Sequence, residues 1–410
     1  MADIVVNGRT YRRNGRPVVV ICVDGSEPGY IERAVDAGLA PCLGRMLKDG
    51  TNRLANCVVP SFTNPNNLSI VTGVAPKVHG ICGNYFYDRD ADAEVMMNDP
   101  KFLRAPTIFE AFQKDGAKIV VVTAKDKLRK LLGHKLAIGP GQAICFSSEL
   151  ADKATLAENG IAGVLEFVGK PLPGVYSAEL SEFVFAAGVK LMERERPALM
   201  YLSTTDYIQH KHAPGTPVAN DFYAMMDGYL AKLDAMGCTV ALTADHGMNA
   251  KHDAAGRPDV IFLQDTLDAW LGAGKARVIL PITDPYVVHH GALGSFATAY
   301  LPAGADVGGT LERIKALPGI DCALDRAAAA NRFELPADRL GDVVVVSAKG
   351  KVIGTSASRH DLSGLKEPLR SHGGISEQKV PFLLNRPIDV PVDAPLRNFD
   401  IFQVAINHVR

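Results

Sequence analysis

"PVVVICVDG", residues 17–25, decides the fold. Its apolar run shows no polar alternation, so the strand it predicts is buried on both faces, as in a parallel sheet covered by helices. Runs of the same kind recur at "KIVVVT" (118–123), "ALMYLST" (198–204) and "TVALTA" (239–244). Helical patterns lie between them, among them "EFVFAAGVKLMERE" (182–195) and "ANDFYAMMDGYLAKLDAMG" (219–237). Strands alternating with helices predict an α/β fold, a mainly parallel central sheet sandwiched by helices. The texture changes after about residue 255. There "ARVILPI", "GSFATAYLPAG" and "DVVVVSAKGKVIG" read as strands, with one amphipathic helix, "GTLERIKALPG", between them and a hairpin-like turn at Lys349-Gly350. Residues 255–366 are therefore expected to form a smaller α+β cap subdomain inserted into a catalytic core of residues 1–254 and 367–410.

Composition narrows the function classes. Hydrophobic residues make up 47% and charged residues 22%, an ordinary globular balance. A net charge of −1 with mixed signs argues against a nucleic-acid surface or a polybasic membrane patch. The opening "MADIVVNGRTYRRNGRP" has no apolar signal-peptide region, and no apolar run reaches the length of a membrane span. The seven cysteines are odd in number and scattered without a CxxC pair, which fits reduced thiols in the cytoplasm. Oligomeric state leaves no clear signature; a homodimer is compatible with the sequence.

Acidic residues follow the strands with regularity. "VVVICVDG" ends in Asp24, "LMYLSTTD" in Asp206, and "VALTADHG" in Asp245 followed by His246. Ligands of an open parallel sheet bind at the carboxyl ends of its strands. Three aspartates brought to that edge repel one another unless cations lie between them. "DYIQH" sets Asp206 and His210 four apart, on one face of a helical turn. "RSHGGISEQ" places His372 in a glycine-flanked loop. Aspartate and neutral imidazole suit zinc, and less selectively manganese or iron. Six ligands make three for each of two ions, the open arrangement of a catalytic rather than a structural site. For His212, His252, His289 and His290 a surface position or one behind the ligands is the simpler reading.

"PSFTNPNNLSIVTG" (60–73) puts Thr63 among turn formers, just ahead of an apolar run. A helix N-cap is the plain reading of such a threonine. The same place offers backbone N–H donors to a bound anion. A divalent metal lowers the pKa of a threonine hydroxyl enough to make it a nucleophile, and two cations clamp the groups of an in-line phosphoryl displacement. With a two-metal edge expected nearby, Thr63 reads as that nucleophile.

Together these stretches resemble the alkaline phosphatase superfamily, in its nucleotide pyrophosphatase/phosphodiesterase branch. The similarity lies in "VDG" (23–25), "PSFTNPNNLSIVTGVAPKVHGICGNYFYD" (60–88), "DYIQH" (206–210), "TADHGM" (243–248) and "HGG" (372–374), in the family's order. It implies that Asp24, Asp245 and His246 bind the metal that also engages and activates Thr63, and that Asp206, His210 and His372 bind the other. The implied cofactors are two Zn2+ per chain, with Mn2+ or Fe2+ as alternatives. Asn84, in "CGNYFYD", matches the family asparagine that donates to a phosphoryl oxygen. A sulfatase is excluded, because Thr63 replaces its Cys or Ser and Asn67 stands where its Arg belongs.

The substrate question turns on "TAKDKLRKLLGHK" (123–135), which follows a strand. Lys125 and Lys127 face the same way if the segment is extended; a solvated helix start is the competing reading. The segment is similar to the lysine-bearing stretch of the phosphonoacetate-cleaving members of the branch. That implies a small doubly anionic substrate, a phosphonate joined through one CH2 to a carboxylate. The implied reaction is C–P bond hydrolysis to acetate and phosphate through a phosphothreonine. A phosphodiesterase or nucleotide pyrophosphatase with the same metals is the alternative and calls for an aromatic nucleobase slot. A mutase, which retains the phosphoryl group, and a non-enzymatic metal- or anion-binding protein are more distant readings.

Overall fold

A computed structural model describes residues 3–13, 15–283, 291–360, 362, 363, 365 and 367–410. Its first six principal strands are β1 (Val18–Cys22), β2 (Thr51–Asn56), β3 (Ile119–Thr123), β4 (Ile144–Ser147), β5 (Leu199–Ser203) and β6 (Thr239–Thr243). The chain then builds a second sheet from β7 (Arg277–Ile279), β8 (Phe296–Tyr300), β9 (Ile320–Asp325) and β10 (Val343–Ser347). It returns to the first sheet as β11 (Lys379–Leu384). The large sheet runs β2-β11-β6-β1-β5-β3-β4, and β11 alone lies antiparallel to its neighbours. The α/β architecture and the mainly parallel sheet are as the sequence predicts.

The unalternating runs have a direct cause. Along β1, Val18, Val20 and Cys22 enter one apolar core while Val19 and Ile21 enter the other. Ile119 and Val121 of β3 divide from Val120 and Val122 in the same way. With helices on both faces neither side tolerates polar residues. The first face is covered by α1 (Thr63–Thr72), whose Leu68, Ile70 and Val71 are fully buried. The second is covered by α3 (Glu179–Glu195) and α5 (Pro217–Ala235). Between them in sequence lies the short α4 (Tyr207–Lys211), and α2 (Asp126–Leu132) follows β3.

Register carries the functional consequence. Thr243, Cys22, Ser203, Thr123 and Ser147 form one row across β6, β1, β5, β3 and β4. Their strands end level. Asp245, Asp24, Asp206 and Lys125, each two or three residues beyond that row, emerge along a single edge.

The second sheet differs in detail from expectation. Among its described residues the segment contains three α-helices, α6 (Leu263–Leu271), α7 (Val307–Lys315) and α8 (Arg326–Phe333), where the hydrophobic pattern suggests one. Lys349-Gly350 is a turn but makes no hairpin: Val352–Gly354 leaves β10 and pairs in parallel with Val260–Phe262. The Lys351 carbonyl accepts from the Ser295 and Ser347 hydroxyls, which draws the chain out of the ladder. Phe296 and Val343–Val346 join the same core as Phe62 and Leu68, so the second sheet packs directly on the layer that carries Thr63.

Candidate metal and phosphoryl-transfer site

Two compact groups of side chains occupy the strand-end edge. Ligand atoms of Asp24, Asp245 and His246 lie within 4.8 Å of one another, and so do those of Asp206, His246 and His372. His210 completes the cluster, its Nε2 lying 2.8 Å from Asp206 Oδ2. The i,i+4 spacing across the start of α4 makes this contact, because the His210 N–H closes the first helical turn on the Asp206 carbonyl at 2.9 Å. The structure thus brings together all six side chains proposed as ligands. It also gives His246 a central position between the groups, its ring stacked on that of His372 at 3.6 Å.

Glycines permit this crowding. Gly25 has φ +70°, and a Cβ there would lie 3.0 Å from the Asp206 Cβ. Gly373 has φ +116°, and a Cβ would lie 2.5 Å from the Phe62 ring.

The donor chemistry fits divalent cations. His210, His246 and His372 direct Nδ1 at the carbonyls of Arg370, Gly247 and Ser61, at 2.7, 2.9 and 2.8 Å. Each ring can therefore keep a proton on Nδ1 while Nε2 faces the cluster, the arrangement that lets Nε2 serve as a metal ligand. Asp24 Oδ1 and His246 Nε2 are buried 3.2 Å apart, and neither has a hydrogen-bond partner among the described residues. Burial, with Asp206 and Asp245 close by, pushes the Asp24 carboxyl well above the usual range. Burial also raises Asp245, against the pull of His246. Cations among these carboxylates would offset that burial and mutual repulsion and favour their ionised forms.

Thr63 opens α1 rather than capping it. Phe62 is the N-cap, with no side-chain hydrogen bond to the helix. The Thr63 side chain is partly exposed and lines a pocket together with Asp24, Asp206, His372, Asn84, Lys125 and Lys127. Asn84 Oδ1 accepts from the Asn64 N–H at 3.0 Å, which fixes the amide and turns its NH2 away from the helix backbone. The sequence reading missed Asn67, one turn after Thr63. Its Nδ2 donates to the Thr63 carbonyl at 3.0 Å and to Asp245 Oδ2 at 3.2 Å, while its Oδ1 accepts from Tyr201 and Ser203. A polar residue four positions after Thr63 was the available signal.

The family model for type I phosphodiesterase/nucleotide pyrophosphatase matches residues 18–375. The chain belongs to this family. As a family member it shares 60% identity and a TM-score of 0.96 with phosphonoacetate hydrolase from Sinorhizobium meliloti, solved in complex with phosphonoacetate, over 99% of this chain and 98% of that one. Murine ectonucleotide pyrophosphatase/phosphodiesterase 5 has the same fold at 18% identity and a TM-score of 0.66, over 95% and 93% of the two chains. The family member 1 ectonucleotide pyrophosphatase/phosphodiesterase of Rattus norvegicus is 26% identical over 244 residues, 57% of this chain and only 24% of that protein.

In this phosphodiesterase-family chain the lysines are arranged otherwise than an extended segment implies. Lys125 is extended and caps α2, whereas Lys127 lies within its first turn; both still line the Thr63 pocket. Lys125 Nζ donates to the Val175 carbonyl at 3.5 Å and sits 5.3 Å from the centre of the Tyr176 ring. Tyr176 and Tyr207 also line the pocket, a feature that the sequence reading did not find. His212 and His252 are partly exposed and belong to neither ligand group. His289 and His290 lie outside the described residues.

Burial, and then the charge of Lys125, hold the Lys127 ammonium down to about 8. The charged form is the one that attracts an anion, and it is lost as pH rises through that value. KM for a doubly anionic substrate is therefore expected to be flat below about pH 7 and to climb toward tenfold per unit well above pH 8. Steady-state kinetics across this range checks it; a KM unchanged at about pH 9.5 removes Lys127 from substrate recognition.

Proposed function

We propose that this chain is a two-metal phosphonoacetate hydrolase, which cleaves the C–P bond to give acetate and phosphate. One observation carries the reading: Lys125 and Lys127 line the same pocket as Thr63 and the ligand cluster. The 60% identity to the Sinorhizobium meliloti phosphonoacetate hydrolase supports it. Asp24, Asp245 and His246 would hold one Zn2+ and Asp206, His210 and His372 the other, with Thr63 beside the first. Bound there, the ions would acidify the Thr63 hydroxyl and neutralise the phosphonate oxygens.

The residues then divide the work. Thr63 Oγ gives up its proton to solvent water and attacks phosphorus at the N-terminus of α1, where backbone N–H groups face the anion. Asn84 Nδ2 donates to a phosphoryl oxygen as charge develops. The P–C bond breaks and its electron pair passes into the CH2–carboxylate. Lys125 and Lys127 stabilise the resulting enediolate, which takes a proton from water to become acetate. Water then hydrolyses phosphothreonine 63 and releases phosphate. Residues 255–366 are proposed as a cap-like insertion; Ile282, from this segment, lines the pocket. The seven cysteines are free, in keeping with the proposed cytoplasmic setting. No helix among the described residues is long and apolar enough to cross a membrane.

The alternative, a phosphodiesterase or nucleotide pyrophosphatase, finds some support in the aromatic pair. Yet the Tyr176 and Tyr207 ring centres are 6.2 Å apart and inclined by 43°. A base sandwiched between two rings needs parallel faces about 7 Å apart. As placed, the pair does not form that slot. Phosphate release from phosphonoacetate and from an aryl phosphodiester, by zinc-loaded protein, decides between the two. Phosphonoacetate is expected to win by orders of magnitude, and chelation to abolish turnover of both. If the diester is the better substrate, the phosphonoacetate assignment fails.

A further inference from the structure

Behind the ligand cluster lies an ion pair that the proposed reaction does not use. Lys251 and Glu377 are both fully buried, with Nζ 2.9 Å from Oε1. Lys251 Nζ also donates to the Lys349 carbonyl at 2.7 Å, in the turn that follows β10. Glu377 Oε1 accepts from Asn249 Nδ2 and from the Ser376 hydroxyl, and Oε2 accepts from the Gly374 N–H at 2.9 Å. The Glu377 carbonyl accepts from the Gly247 N–H at 2.8 Å. Gly247 follows His246 directly, and Gly374 stands two residues after His372. The two loops are paired again through Asn249 and Ser371.

Stability alone is a poor reason for such a pair. Taking both charges out of water costs as much as their attraction returns, and well-packed apolar replacements are often neutral or stabilising. Geometry offers a better one. The two loops that meet on Glu377 carry the two stacked imidazoles, and small shifts between loops change where each Nε2 points. Burial lowers the Lys251 pKa and Glu377 opposes this, consistent with an ammonium kept charged by its partner.

We infer that Lys251 and Glu377 are positioning residues, which lock the His246 and His372 loops to each other and to the turn of the second sheet and so set the affinity of the metal site. This rests on the two-metal reading above. The test is zinc affinity of the chelator-stripped full chain, measured by competition with a chelating dye, alongside its melting temperature. Lys251→Met/Glu377→Gln removes both charges and leaves no buried ion unpaired. Zinc affinity is expected to fall roughly 10- to 100-fold, as for other groups that orient metal ligands, while the metal-free melting temperature changes little. Parent-like affinity in the double variant overturns the inference, even if its melting temperature drops. Should the double variant not fold, Asn249→Ala removes one Glu377 hydrogen bond without stranding a charge. A several-fold loss of affinity is expected there, and none overturns the inference. A parent protein that binds no zinc overturns the metal reading itself and this inference with it, an outcome distinct from an unaffected variant.

Discussion

Thr63→Ala is expected to abolish phosphate release from phosphonoacetate, by about 10³-fold or more, on the scale seen when other hydrolases lose their nucleophile. The fold should survive. Thr63 is the first residue of α1 and contributes no capping hydrogen bond, and Phe62, Leu68, Ile70 and Val71 anchor the helix without it. The metal content should also survive, near two ions per chain, because the six Asp and His side chains proposed as ligands come from other elements. Metal analysis and single-turnover kinetics on the same preparation separate the possibilities. Lost turnover with retained metal places Thr63 in the chemistry. Substantial residual turnover would mean that water attacks directly and that no phosphothreonine forms.

Lys125→Ala and Lys127→Ala are expected to act on substrate choice rather than on the metals. Truncating one partner of a partly buried charge pair costs about 2–3 kcal/mol, roughly 30- to 200-fold in kcat/KM for phosphonoacetate. Both lysines line the pocket and both are desolvated, so each should exceed the effect of an exposed charge. An aryl phosphodiester carries no carboxylate, and its hydrolysis should change by no more than a few-fold. A parallel loss on both substrates would show that the lysines support the fold or the ions instead. The Lys125 contact with Tyr176 makes Lys125→Ala the variant more exposed to that outcome.

A good part of the site was legible because its chemistry is local to strand ends. Asp24, Asp206 and Asp245 follow unalternating runs, and in a parallel sheet that position alone sends them to the ligand edge. Asp206 and His210 were legible through helical spacing, and the contact at 2.8 Å follows from it. The lysines line the pocket at this edge, and of the two backbone readings left open by the sequence the helix start is the one found, beginning between them at Asp126. The Lys349-Gly350 turn was equally visible, yet nothing in the local pattern says that Val352–Gly354 joins Val260–Phe262 instead of folding back on β10.

The sequence by itself determined the α/β class, the buried parallel strands and the residue types gathered at their ends, since periodicity and strand-end position are properties of short segments. Tertiary structure alone decided that His246 stands between two ligand groups, that Asn67 ties the Thr63 helix to Asp245, and that Tyr176 and Tyr207 share the pocket. It also decided that Lys251 meets Glu377, 126 positions later, behind two stacked histidines. The reason is physical. Contacts between distant segments depend on sheet register and loop packing, and no period within either segment encodes them.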